Sequence, residues 1–333
     1  MAEAAYDSVE VAVLAAQYHA HALVQSGKPR QAAKVLHQIL IHPFNPSLGD
    51  ELDFEMRGTD PILDYSPFPY AKAQLARLLL TQNIQLSDAV AGAKFSADYL
   101  SIYRDFIGFD PVDHDSYTST LSEQPLSFDS TPSERFLLLV EANWRLRQSK
   151  AKPDASMAEE AFAAAQDAML GTTTLAIAKT AAELLAKKEG LGDLLTEQKA
   201  LQEKIQDFRR GEGAEDEYLD ESARSREDRL SAKNRAYFRK EEITLELKAQ
   251  APDYFALIRP EPLTLPAAQS MLGTDEAALL LVPTEFGTHV MAVTKDGEGL
   301  KWHRSDLKAG AIEMAVAKRR LGLDQPINPL YQD

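Results

Sequence analysis

Seven histidines and no cysteine stand in a chain of 333 residues, so disulfides, thiolate metal sites and a cysteine nucleophile are excluded within it. His19 and His21 lie two apart; on a helix that spacing points them to nearly opposite sides, and they cannot share an ion. His289 and His303 fall in strand-like stretches and could serve as a base. With no cysteine, and no serine in a nucleophile-elbow context, nothing is there for them to activate, and both read as structural. Gly211 and Gly213 read as loop-tip glycines, since no phosphate-cradling glycine pattern stands between a strand and a helix. Asp50, Glu51, Asp53, Glu55, Asp60 and Asp64 crowd one segment with Arg57 as the one basic residue nearby; a solvated acidic loop is favoured over a cation or basic-peptide site. Trp144, with Phe136, Leu137 and Val140, reads as core. These residues give no catalytic, cofactor-binding or metal-ligating assignment, and no cofactor is expected.

The elements that would have to position such residues are mostly helical. Val13, Ala16, Ala20 and Leu23 mark a small-residue helix stopping at Gly27. Ala32, Val35, Leu36, Ile39 and Leu40 mark a second, closed by Pro43. Two more hairpins are expected from "PYAKAQLARLLLTQ" with "SDAVAGAKFSADYLSIY", where Ser87 is the expected N-cap, and from "SERFLLLVEANWRLRQ" with "SMAEEAFAAAQDAM". The segments between pairs, 43 to 68 and 109 to 132, are rich in Pro, Asp, Ser and Phe and are read as packing on the repeat surface. Leu194, Leu201 and Phe208 recur every seven residues around Ile205, and Leu230, Tyr237 and Thr244 keep that step beyond Gly211 and Gly213. Two long helices folding back as an antiparallel coiled-coil arm are predicted, ending at Pro252.

A short helix near Ala267 to Leu272 then leads into sheet. "EAALLLV" and "HVMAV" read as two strands, "GLKWHRSDL" as a third with Trp302 facing a core, and residues 309 to 321 as a helix. Both faces of so apolar a sheet should be covered, one of them by the 309 to 321 helix and the base of the arm, and at least one strand edge should lack a partner. The fold class expected is mainly α: helical-hairpin repeats over 1–173, a long-helix arm over 174–251, and a small incomplete α/β piece over 252–333.

Composition bounds the partners. With 44% apolar and 26% charged residues the chain reads as a globular protein, and 36 Lys and Arg against 51 Asp and Glu leave a net charge of −15. That balance argues against nonspecific nucleic-acid binding and against anionic membranes. The N-terminus "MAEAAYDSVEV" lacks a basic n-region and no apolar run approaches a bilayer span, so a cytoplasmic location is expected.

The helix hairpins resemble tetratricopeptide repeats, whose pattern puts small residues where the two helices touch; Ala20 and Ala32 flank Gly27 at about that spacing. The order of parts is more specific. "LAIAKTAAELLAKKEGLGDLLTEQKALQEKI", the arm, "APDYFALIRPEPLTLPAAQSMLGTDEAALLL" and "GTHVMAVTKDGEGLKWHR" resemble the passage from repeats into the CHAT domain, the caspase-like, separase-related domain attached to such repeats in bacteria. The resemblance spans about residues 174 to 324 and is architectural over 1–173. It implies a cysteine peptidase whose His and Cys dyad lies beyond the segment seen here, so no catalytic residue carries over and His289 does not match the family's histidine. The expectation is a regulatory portion of such a peptidase, inactive alone. A protein partner would bind the repeats, and the downstream catalytic region would be supplied in cis or in trans. A truncation, an incomplete gene or a cleavage would each account for the missing part. A non-catalytic interaction scaffold and an enzyme of another class are the rival readings.

Overall fold

The computed structural model describes residues 2–40, 67–107, 132–151, 154–170, 180–212 apart from 182, 183, 186, 187 and 189, then 223–254, 261–296 and 299–323. The acidic segment from Asp50 to Asp64, most of both long inter-hairpin segments, Pro43, Gly213 and Pro252's successors from 255 to 260 lie outside the described residues.

Six helices form three consecutive hairpins: α1 (Ala2–Gln25) with α2 (Pro29–Leu40), α3 (Pro67–Gln82) with α4 (Leu86–Ile107), and α5 (Pro132–Ser149) with α6 (Ala155–Met169). Each helix packs on the next, and the first helices of successive hairpins also touch, so the hairpins stack. Small residues let them approach closely. Ala73, Ala76, Ala89, Ala93 and Ala97 are buried between α3 and α4, and a Cβ at Gly92 would come within 2.9 Å of the Lys72 carbonyl.

The turns explain where the helices stop. After α1, Gly27 (φ 72°) closes a Schellman motif, with its N–H on Val24 O at 2.9 Å and Lys28 N–H on Leu23 O at 2.8 Å. Asn83 (φ 53°) does the same after α3, with Asn83 N–H on Leu80 O and Ile84 N–H on Leu79 O. α4 begins at Leu86, so Ser87 lies in its first turn and is not the cap. Asp154 caps α6 by accepting from Ser156 N–H at 3.0 Å.

Two long helices follow, α7 (Gly192–Glu212) and α8 (Ala223–Gln250). Glu197 meets Arg239, Gln198 meets Thr244 and Gln202 meets Lys240, a pairing that runs antiparallel. Leu194 and Leu201 face this seam and Ile205 is buried in it, as the seven-residue step predicts. Among the described side chains of α8 the buried ones are Ala236, Lys240, Ile243 and Leu247, so Ile243 takes the place expected of Thr244; the side chains of Leu230 and Tyr237 lie outside the described residues. Thr244 sits at the margin, where its hydroxyl accepts from Gln198 at 3.1 Å.

The chain then reaches α9 (Leu265–Ser270), capped by Thr264 with Pro266 in its first turn, and the strands β1 (Ala277–Pro283), β2 (Thr288–Thr294) and β3 (Lys301–Ser305). The three form one antiparallel sheet in the order β1-β2-β3. One face carries Ala278, Leu280 and Val282, then Val293, Met291 and His289, then Trp302 and Arg304, and it packs on the helices so that sheet and hairpins share one apolar core. Burying the apolar side chains of that face stabilises the join.

The cover of the sheet differs from the expectation. α5 and α9 lie on the inner face, while α10 (Ala309–Leu323) is exposed along most of its length, with Met314 at 70%. Its apolar residues are spread around the helix axis rather than gathered in a stripe, so it has no face to bury. Leu279 and Leu281, on the outer face of β1, remain 58% and 53% exposed. The protein is thus mainly helical with a small three-stranded antiparallel sheet. No helix among the described residues is long and apolar enough to cross a membrane.

Candidate functional site at the joint between helices and sheet

The middle of α5 is enclosed on every side: residues 138 to 143 are all buried. A carboxylate in such a stretch must find partners or lose its charge. Glu141, fully buried, finds three. Its Oε2 accepts from His289 Nε2 on β2 at 2.9 Å, and its Oε1 accepts from Arg145, one turn along α5, and from Arg304 on β3. Burial alone pushes the Glu141 carboxyl up; the hydrogen bonds from His289 and Arg145 and the Arg145 charge more than offset it and hold the group below its ordinary value of 4.5.

His289, also fully buried, has both ring nitrogens engaged. Trp302 Nε1–H donates to its Nδ1 at 3.2 Å, so Nδ1 keeps its lone pair and the proton sits on Nε2, facing Glu141. Trp144 closes the cluster, its ring 5.2 Å from Trp302 and 6.0 Å edge-on from His289.

Arg145 extends the joint into the next hairpin. It donates to Leu80 O and to Asn83 Oδ1 at the end of α3, where a helix C-terminus favours a cation, and its guanidinium lies 5.0 Å from the Phe286 ring in the β1–β2 turn. Beside it Arg77 binds both Glu134 on α5 at 3.0 Å and Glu285 in the turn at 2.7 Å. The turn itself is tight: Gly287 lies so near β3 that a Cβ there would fall 2.4 Å from Ser305 O. A second attachment lies at α6, where Gln166 accepts from Leu263 N–H at 2.9 Å and donates to Leu263 O at 3.0 Å, acting as a strand partner for the segment entering α9.

The arrangement closes His289 off from solvent. No substrate can reach His289 while the sheet is docked, because both nitrogens are occupied and the ring has no exposed surface. What the network can do is tie the position of β2 and β3 to that of α3 and α5. His303 is exposed on β3, 6.5 Å from Trp144; His19 is exposed and His21 half-buried on α1; Trp144 packs on the core as expected. Glu141 was not singled out by sequence reasoning, although a lone charge inside "FLLLVEANW" is a signal that a buried partner exists. Its partner could not be named from sequence, since His289 is 148 residues away.

No family model, curated protein or solved structure matches the chain. The joint therefore rests on its own geometry.

Proposed function

We propose that this chain is the regulatory, partner-binding part of a CHAT-type cysteine peptidase acting in the cytoplasm. In this reading the three hairpins are tetratricopeptide-like repeats forming a domain over 1–173, α7 and α8 are a coiled-coil arm within 174–251, and the sheet over 252–333 begins the caspase-like domain. A protein bound to the hairpins shifts α3 and α5, and the shift passes through Glu141 to β2 and β3. The observation that carries the reading is the buried Glu141–His289–Arg304 contact, which links the candidate sensing layer to the central strand of the sheet. Net charge −15 favours a basic protein partner.

The absence of cysteine favours a second reading, a non-catalytic scaffold in which the sheet serves only as a rigid end to the hairpin stack. Reading the coding sequence past residue 333 separates the two. A following region with a histidine and a cysteine at strand ends supports the peptidase reading, and joining it should create thiol-dependent peptide cleavage that the present chain lacks. A stop codon there would leave the scaffold. In the joined chain, Glu141→Gln should change how activity responds to a hairpin-bound partner; an unaltered response would remove the joint from the account.

A further inference from the structure

Among the described residues, the backbone of β1 pairs on one side only, with β2. Gly287 O accepts from Thr284 N–H at 2.8 Å, and this bond sets the alternation of the ladder. It turns the N–H and C=O groups of Ala277, Leu279 and Leu281 away from β2. Pro283 falls at the next outward position and has no N–H to offer, so it marks one end of the open row.

Edge strands are usually protected by a charge, an internal proline or a bulge. The stretch from Ala277 to Val282 has none of these, and Leu279 and Leu281 stand more than half exposed beside the half-buried Val290 and Ala292 on the same outer face. β3, at the opposite edge, has the Trp144 ring alongside Trp302 and His303.

Charge selects the occupant. Exposed Asp275 and Glu276 precede β1, and the turn beside Thr294, the partner of Ala277, adds Asp296 and a single Lys295. At the other end Glu285 binds Arg77, and Arg145 and Arg304 lie beside the same turn with Glu134 and Glu141, so the charges there balance. Among the described residues it is the end that opens β1 that is net acidic. A second copy pairing antiparallel about Leu280 would set Asp275 of each chain against Glu285 of the other, like against like.

We propose that the outer edge of β1 is a docking site for an extended segment of a basic partner protein, added as a fourth strand, with apolar residues at alternate positions and lysine or arginine at the end that meets Asp275 and Glu276. The main-chain bonds supply affinity, Leu279 and Leu281 select apolar side chains, and the acidic end selects the basic flank. The site belongs to this chain alone and does not rest on the peptidase reading.

The test uses the full chain and the labelled peptide Lys-Val-Thr-Val-Thr-Val-Lys. Binding is followed by fluorescence anisotropy, and amide hydrogen exchange is followed over residues 277 to 283. Bound peptide should slow exchange at Ala277, Leu279 and Leu281. Replacing both terminal lysines with glutamate should weaken binding about tenfold at low salt. Methylating alternate amide nitrogens on one edge of the peptide, which leaves the side chains intact, should weaken it by at least about tenfold. The variant Leu279→Lys with Leu281→Lys, checked for an unchanged melting curve, should bind comparably poorly; if it does not fold, the methylated peptide still decides. The proposal is overturned by equal binding of the methylated peptide, by protection elsewhere in the chain, by no binding up to millimolar peptide, or by β1 amides already protected in a free chain that sediments as a dimer.

Discussion

Two places in this molecule join elements through an arginine and a glutamate, and they behave differently. At the joint with the sheet, Glu141 is sealed from water and meets Arg145, Arg304 and His289. Between α7 and α8, Arg239 holds Glu197 with two hydrogen bonds at 2.8 and 3.1 Å, yet both side chains are 43% exposed. The chemistry of the pairs is the same; the solvent is not. Away from water a carboxylate has no alternative partners, so its contacts fix the geometry, whereas an exposed pair exchanges with water and salt at little cost. The buried pair therefore specifies how sheet and helices sit together, and the exposed pair adds little to a seam already set by Ile205, Ile243 and Leu247.

Breaking the buried side of this contrast should have the largest effect. Glu141→Ala leaves two guanidinium groups and His289 Nε2–H facing one another without their acceptor, and should cost about 3–5 kcal/mol in urea unfolding followed by tryptophan fluorescence. A loss no larger than that of an average surface change would mean water reaches the joint. The same residue gives a pH dependence. Because its folded carboxyl is held below 4.5, its contribution is fully present above that value and is lost as pH falls through the depressed folded value. Wild type minus Glu141→Gln, measured from pH 7 downward, isolates this effect from the exposed carboxylates Asp154 and Glu197, which are also held low and add the same sign to the wild-type curve. The difference should be flat near neutrality and shrink in acid; a difference growing in acid would reverse the assignment.

Gly287→Ala comes next. Its Cβ would collide with the backbone of Ser305, which cannot turn aside as a side chain could, and about 1–3 kcal/mol is expected, with faster amide exchange in β3. Smaller again is Trp302→Phe, which keeps a ring against Trp144 but removes the donor to His289 Nδ1, for about 1 kcal/mol. A Trp302→Phe loss matching Glu141→Ala would shift the weight of the joint from charge to aromatic packing.

What could be read beforehand follows the range of each interaction. Strands at "ALLLV" and "HVMAV", the buried Trp302 and the stop at Gly27 depend on neighbours a few residues away and were legible. Asn83 as a helix terminator was harder, because its positive φ imitates glycine while its side chain looks like any polar residue. On α8 the expected Thr244 gave way to its neighbour Ile243, seven residues from the buried Ala236, and the lysine buried beside them, Lys240, finds an acceptor in Gln202 on α7. The joint was illegible in its pairing, not in its parts: a charge within an apolar helix and a histidine in an apolar strand each announce a partner, and only the fold says that they are each other's.

The smallest expected effect is the one that most sharpens the contrast. Arg239→Ala removes a well-formed pair, and the Arg239 hydrogen bond does hold the Glu197 carboxyl below its usual range. Both groups stand in water, however, and raising salt from 0.1 to 1 M shortens the screening length from about 10 to about 3 Å. Amide exchange at Ile243 and Leu247, in the seam beneath the pair, reports on the two long helices without requiring the whole chain to unfold in one step. Arg239→Ala should speed that exchange slightly at low salt and not at all in 1 M salt, while the Glu141→Ala loss persists in both, because salt does not enter a sealed joint. An Arg239→Ala effect that survives 1 M salt would show that the seam depends on its exposed charges after all, and the line drawn between the two regions would then follow geometry rather than burial.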